Sequence, residues 1–176
     1  SWVQQAKLVA SDAATADQFG WSVAISGTTV VVGAHYDNGP GGTPVDLGSA
    51  YVFVRSGSTW VQQAKLVASD ATAGDSFGSS VAISADSVLV GAMKDDAPAT
   101  SNNQGSAYVF VRSGTAWLQQ AKLLAGDPLA GDYFGGSVAL SADTALIGAT
   151  QEAISSTNKV GKAYVFVRSG ASWAQQ

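Results

Sequence analysis

FGWSVAISGTTVVVGA, residues 19–34, admits three readings. Its glycines have the look of a phosphate loop. Its Ser22, within Gly20-Trp21-Ser22-Val23-Ala24, has the setting of a nucleophile. The whole stretch also fits two short strands and the turn between them. The remainder of the chain selects the third reading, because the stretch recurs as FGSSVAISADSVLVGA at 77–92 and FGGSVALSADTALIGA at 134–149. Phe19, Phe77 and Phe134 lie 58 and then 57 residues apart. Repeats of this length describe a stacked or radial array of similar units, none of which buries its own apolar faces alone.

Each repeat divides into four strands. SVAIS, from Ser22, alternates small polar and apolar residues as a half-buried strand does. Gly27-Thr28 makes a tight turn, matched by Ala85-Asp86 and Ala142-Asp143. VVVGA, from Val30, is apolar throughout and is expected to be covered on both faces. A variable loop leads to AYVFVR, whose alternation sets Tyr51, Phe53 and Arg55 on one face and Val52 and Val54 on the other. A Ser-Gly turn then leads into WVQQAKL, where simple alternation puts Trp60, Gln62, Ala64 and Leu66 on one side. Four antiparallel strands per unit, repeated radially, make a propeller blade, so the fold class is all-β. Residues 1–176 form one repeat region: 2–59, 60–116 and 117–172, with 173–176 starting a fourth repeat.

Composition agrees. Only 12% of the residues are charged, 46% are hydrophobic and 20 are glycine, which is the chemistry of strands and turns. The net charge of −4 includes nine basic residues scattered along the chain, so no clustered basic face exists for nucleic acid. No apolar run approaches the ~20 residues of a membrane helix. Absence of cysteine excludes disulfides and thiol chemistry.

With both motifs in a fixed frame, the chain resembles the FG-GAP repeat proteins, which include the propeller of integrin alpha subunits. Phe19-Gly20, Phe77-Gly78 and Phe134-Gly135 match the first motif. Gly33-Ala34, Gly91-Ala92 and Gly148-Ala149 match the second, with His35, Met93 and Thr150 in place of its proline. The resemblance implies a β-propeller used for adhesion or recognition, secreted or at a cell surface. Many family members carry an Asp-rich calcium loop before the second motif. Here that place holds Ser26-Gly27-Thr28-Thr29 and its two counterparts, with at most one carboxylate each, too few for calcium's six to eight oxygens.

Catalytic readings are weak. A nucleophile elbow needs a strand-to-helix turn and a glycine where Ala24 stands. Ser22 recurs as Ser80 and Ser137, whereas the chain has a single histidine, His35. No Gly-Lys-Ser/Thr follows the glycines, and Glu152, the one glutamate, lacks a like partner at fixed spacing. The expectation is a non-enzyme without cofactor or metal.

Asp12, Asp70 and Asp127, with Asp17, Asp75 and Asp132, recur before each Phe-Gly. They read either as a ring of polar ligands at one end or as caps on backbone N–H groups in turns. Trp2, Trp60, Trp117 and Trp173 read as packing residues. Trp21 belongs to one repeat only and is a candidate exposed aromatic. The variable loops hold 13, 12 and 11 residues, at 35–47, 93–104 and 150–160. Alternation places them on the same end of the blade as the Asp-containing loops. They carry the candidate recognition residues: His35, Tyr36, Asp37, Asn38 and Asp46; Lys94, Asp95, Asp96, Asn102 and Asn103; Gln151, Glu152 and Asn158. Divergent loops on a rigid scaffold make a binding surface for a protein or glycan partner, or else drift freely. The rival expectation is a structural subunit assembling by strand exchange; a carbohydrate-binding propeller is third. Residues 1–8, from Ser1 to Leu8, are expected to form a fourth strand that pairs with another copy or further repeats. Three blades are too few to close a ring of ~4–8.

Overall fold

The computed structural model of the chain describes residues 1–39, 46–96, 103–150, 153–155 and 158–176. The first sheet is β1 (Ser22–Ser26), β2 (Thr29–Ala34), β3 (Ser49–Ser56) and β4 (Thr59–Leu66). The second is β5 (Phe77–Ser84), β6 (Ser87–Ala92), β7 (Ser106–Ser113) and β8 (Ala116–Leu123). In the third repeat β9 (Phe134–Ser141) and β10 (Thr144–Ala149) are followed by a small antiparallel pair, β11 (Ala153–Ser155) and β12 (Asn158–Lys159). β13 (Lys162–Ser169) and β14 (Ser172–Gln175) complete the third sheet. In all three sheets the strands run antiparallel in sequence order, and no helix occurs among the described residues. These are the three propeller blades that the repeats imply.

The core lies between blades. The first strands of neighbouring blades pack together, β1 on β5 and β5 on β9, while the fourth strands scarcely touch, so the blades fan outward. Each blade has an aromatic face and an aliphatic face. Val31, Val52 and Leu66 of the first blade meet Phe77, Tyr108 and Phe110 of the second. Leu89, Val109 and Leu123 of the second meet Phe134, Tyr164 and Phe166 of the third. Alternation in the third strand produces both faces at once, since its Tyr and Phe point one way and its Val residues the other.

Three expectations are corrected. First, Trp60, Gln62, Ala64 and Leu66 do not share a side. A β-bulge at Gln63 shifts the register: Trp60 and Gln62 oppose Arg55 and Phe53, whereas Ala64 and Leu66 oppose Val52 and Ala50. One extra residue flips everything after it, so Lys65 joins Tyr51 on the aromatic face. The same bulge recurs in β8. Second, Ser1–Leu8 forms no strand within the chain itself. Nothing among the described residues lies alongside to supply a ladder, and residues 1–10 carry no pairing. Gln5 Oε1 nevertheless accepts from Trp60 Nε1 at 3.3 Å, the bond that Gln63 gives Trp117 at 2.9 Å and Gln120 gives Trp173 at 3.1 Å. Third, the all-apolar second strand is fully covered in β6, but Leu146 in β10 is 45% exposed. Coverage comes from the next blade, and among the described residues no blade packs on that face of the third.

The Phe-Gly motif is a joint. The residue before each Phe sits in the left-handed region, at φ 55°, 58° and 54° for Gln18, Ser76 and Tyr133, and the following glycine at 97°, 87° and 88°. A side chain on the second of these is strained, hence Gly. Ser22 Oγ donates to Gly78 O at 2.8 Å and Ser80 Oγ to Gly135 O at 2.7 Å. The recurring serine therefore bonds one blade to the Phe-Gly of the next.

Candidate functional site

The Asp-containing loops and the divergent loops share one end of the blades, as alternation requires. Their junction is a charge network built from each blade's aromatic face. Lys65 Nζ lies 2.6 Å from Asp12 Oδ2 and 2.8 Å from Asp37 Oδ2. Tyr51 OH donates to Asp12 Oδ1 at 2.9 Å and also reaches Asp37 Oδ2. The second blade repeats this: Lys122 bridges Asp70 and Asp95 at 2.7 and 2.8 Å, and Tyr108 OH reaches the same two carboxylates at 2.9 and 2.6 Å. In the third, Lys162 supplies the ammonium from β13, 2.9 Å from Asp127, and Tyr164 OH donates to Asp127 at 2.8 Å.

Burial works to raise Asp12, Asp37 and Asp70, but Lys65 or Lys122 and the tyrosine hydroxyls outweigh it and hold all three below the usual carboxylate range. Lys162 does the same for Asp127. Tyr51 and Tyr108 are pushed up by burial and then by their aspartates, so the phenols stay protonated. Lys65 and Lys122 are held up despite burial, because each ammonium faces two carboxylates.

The network clamps the base of each loop. Asp37 N donates to Ala34 O at 3.1 Å, and Gly48 N to Asp37 O at 2.9 Å, so one residue ties both loop ends together. Asp95 does the same with Ala92 and Gly105, at 3.1 and 2.9 Å. One step further out, Asn38 Oδ1 accepts from Asp46 N at 3.2 Å and Asp96 Oδ1 from Asn103 N at 2.6 Å. A cleft of about 500 Å³ opens beside the first network, lined by Asp12, Thr15, Asp17, Asp37, Asn38 and Lys65 among others.

The expected recognition residues differ in their placement. Asp37, Asp95 and His35 are buried, although Asp37 also lines the cleft beside the first network. Tyr36, Asn38, Asp46, Lys94, Asp96 and Asn103 are half-buried at the loop bases. Asn158 lies in β12, while Asn102, Gln151 and Glu152 fall outside the described residues. Trp21 is 58% exposed, as an aromatic specific to one repeat suggests. Asp17, Asp75 and Asp132 are turn caps, accepting from Ala14, Thr72 and Leu129 N at 2.6, 2.5 and 2.5 Å. Asp12, Asp70 and Asp127 instead complete the lysine networks. Lys65 and Lys122 were missing from the candidates because the bulge hides which face they occupy; their recurrence beside an invariant tyrosine was the available signal.

His35 is sandwiched between Trp21 and Tyr36, ring centroids 4.4 and 4.0 Å away, and its Nδ1 has no hydrogen-bond partner among the described residues. Burial, then Lys94, depresses its pKa, so the folded state disfavours the charged ring. The unfolded chain binds that proton below about pH 6.5, so stability falls as pH drops through this value, by at most about 1.4 kcal/mol per unit. The aspartates with lowered pKa values contribute a separate loss, below about pH 4. Urea midpoints measured from about pH 7 to about pH 5 are expected to decline in the native sequence and stay flat in His35→Met, which carries the second repeat's residue. A decline of equal slope in both excludes His35 as the cause.

Comparison with known proteins places one family on this chain. The profile described as FG-GAP repeat matches three times, over residues 2–53, 60–110 and 117–166. No curated protein matches.

Proposed function

We propose a recognition role for this chain, which belongs to the FG-GAP repeat family. It is a non-catalytic module, secreted or at a cell surface, that holds a protein or glycan partner against its loop-bearing end. The observation that carries this reading is the contrast within each loop. The two described loop bases are braced by the same bonds, Asp37 and Asp95 to backbone and Asn38 and Asp96 across the neck. Beyond those bases the sequences diverge in composition and length. A fixed frame displaying variable tips is how a rigid scaffold supports binding. Location outside the cell rests on the family resemblance alone.

The non-catalytic part draws support from the state of the reactive groups. Lys65 and Lys122 are each engaged by two carboxylates, and Ser22 and Ser80 spend their hydroxyl protons on the next blade. A glycan partner draws support from Trp21, an exposed ring beside the first loop.

The test exchanges residues 35–47 and 93–104 between repeats, with both chains probed on a glycan array and a panel of extracellular-matrix proteins. The native chain is expected to bind at least one probe, and the exchanged chain to fold alike but lose it. Binding that survives the exchange, or no binding by the native chain, overturns the reading.

A further inference from the structure

Asn38-Gly39 is the one Asn-Gly pair in the chain; Asn102, Asn103 and Asn158 precede Asn, Gln and Lys. The distinction matters because the backbone nitrogen of a following residue can attack an asparagine's side-chain carbonyl, and a Cβ on that residue stands in the way. The pair sits at the neck of the first variable loop. It is half-buried and lines the cleft beside the lysine network, so water reaches it.

The fold prepares both partners of that attack. Gly39 N donates to Asp37 Oδ1 at 2.6 Å, so the nucleophile's proton has a carboxylate to leave to. Asp46 N donates to Asn38 Oδ1 at 3.2 Å, which draws electron density from Cγ and meets the negative charge that builds on that oxygen during addition. Asp37 is itself held by Lys65 and Tyr51, which fixes the carboxylate beside Gly39. The second blade shows that the product fits. Asp96 follows Asp95 as Asn38 follows Asp37, and its Oδ1 accepts from Asn103 N at 2.6 Å across the same neck.

We propose that Asn38 is a self-modifying site, converted to aspartate or isoaspartate by attack of Gly39 N on its side-chain carbonyl carbon. The Gly39 N–H proton passes to Asp37, the N–Cγ bond forms and the Cγ–Nδ2 bond breaks. Nδ2 takes up that proton and leaves as ammonia, and a five-membered imide remains. Water then opens the imide. Cleavage of the new N–Cγ bond gives aspartate, whereas cleavage of the original peptide bond gives isoaspartate, with the chain running through Cγ. The net exchange is amide and water for acid and ammonia. It takes the formal net charge from −4 to −4 − 1 = −5. The new charge enters the loop that the recognition reading invokes, but it is detected by mass alone, so the site stands or falls separately from that reading.

Peptide mapping by mass spectrometry tests it, on the folded chain held at neutral pH and on the same chain unfolded in urea. The folded chain is expected to convert Asn38 about tenfold faster, because in urea neither Asp37 nor Asp46 is held in place. It is expected to keep the amides of Asn102, Asn103 and Asn158. Anion exchange is expected to separate the converted form by its added charge, with an Asn38→Asp chain as the standard. Gly39→Ala is expected to slow conversion by about tenfold, equivalent to about 1.4 kcal/mol of barrier. Among the described residues its methyl would meet only Leu47 Cδ1 at 3.0 Å, the end of a flexible side chain. Asn38→Gln, whose longer side chain needs a six-membered ring, is expected to stop conversion. Circular dichroism establishes that the variants fold. Three results overturn the proposal: an Asn38 amide that persists in the folded chain, conversion no faster folded than in urea, or equal loss at the other asparagines.

Discussion

Phe77→Ala is expected to destabilise the chain by about 3–5 kcal/mol, and Phe19→Ala, the same change in the same motif, by about 1–2 kcal/mol. Within their own blades the two rings are placed alike. Phe77 packs edge-on against Tyr108 and Phe110 at 5.5 and 6.0 Å, and Phe19 against Tyr51 and Phe53 at 5.6 and 6.0 Å. Edge-to-face pairs of this kind contribute about 0.5–1.5 kcal/mol each beyond burial, and both variants lose them. The difference lies outside the blade. Phe77 is fully buried because the aliphatic face of the first blade, Val31 and Val52, closes over it. Phe19 is covered only in part, by Leu8 and Ala10. Comparing the two in urea unfolding isolates what one blade contributes to its neighbour. Equal losses would mean that blade contact stabilises little, and that each sheet stands on its own hydrogen bonds and side chains.

That comparison also marks where the sequence was readable. The three-fold recurrence of Phe-Gly, Gly-Ala and AYVFVR located the sheets, because alternation over five or six residues fixes which side chains share a face. The family resemblance rests on the same residues, and the profile matches them in all three repeats. The fourth strand resisted for a physical reason. A bulge at Gln63 adds one residue with no mark in the sequence, and a period of two carries the error through to Lys65. The candidate site was incomplete for the same reason. Asp37 and Asp95 were legible as loop residues, but the lysine that clamps each was not, because alternation had turned it to the other face. Residues 1–8 match β4 and β8 in sequence but form no strand within this chain, because a strand exists only where a neighbour supplies the ladder. Asp17, Asp75 and Asp132 were legible as caps, since capping is local and needs only three residues of chain.

Gly91→Ala is expected to cost about 3 kcal/mol or more, whereas Gly148→Ala, at the equivalent position in the second strand of the next blade, is expected to be neutral or mildly stabilising in dilute solution. Both glycines precede an alanine in the second strand of a blade, and neither needs a left-handed backbone. Conformational freedom therefore does not explain Gly91. Space does. A Cβ there would sit 1.9 Å from Gly135 O and 2.4 Å from Ser80 Oγ. The hydroxyl can rotate, but the carbonyl is backbone, held by Ser80 and flanked by the Phe134 bond to Gln104 O. Relief requires the third blade to move outward, and that opens the packing of Phe134 and Ile147 on Leu89 and Val109 along the whole face. At Gly148 the same methyl meets Ser137 Oγ at 2.3 Å and no other blade, so one rotamer change accommodates it. The alanine then restricts the unfolded chain, a gain of about 0.4–1 kcal/mol where the folded backbone suits it. Urea unfolding of the two variants at equal, low concentration gives opposite signs if blade contact requires these glycines. A loss at Gly148 matching that at Gly91 would show instead that the glycine serves its own strand, and that the close approach of the next blade is incidental.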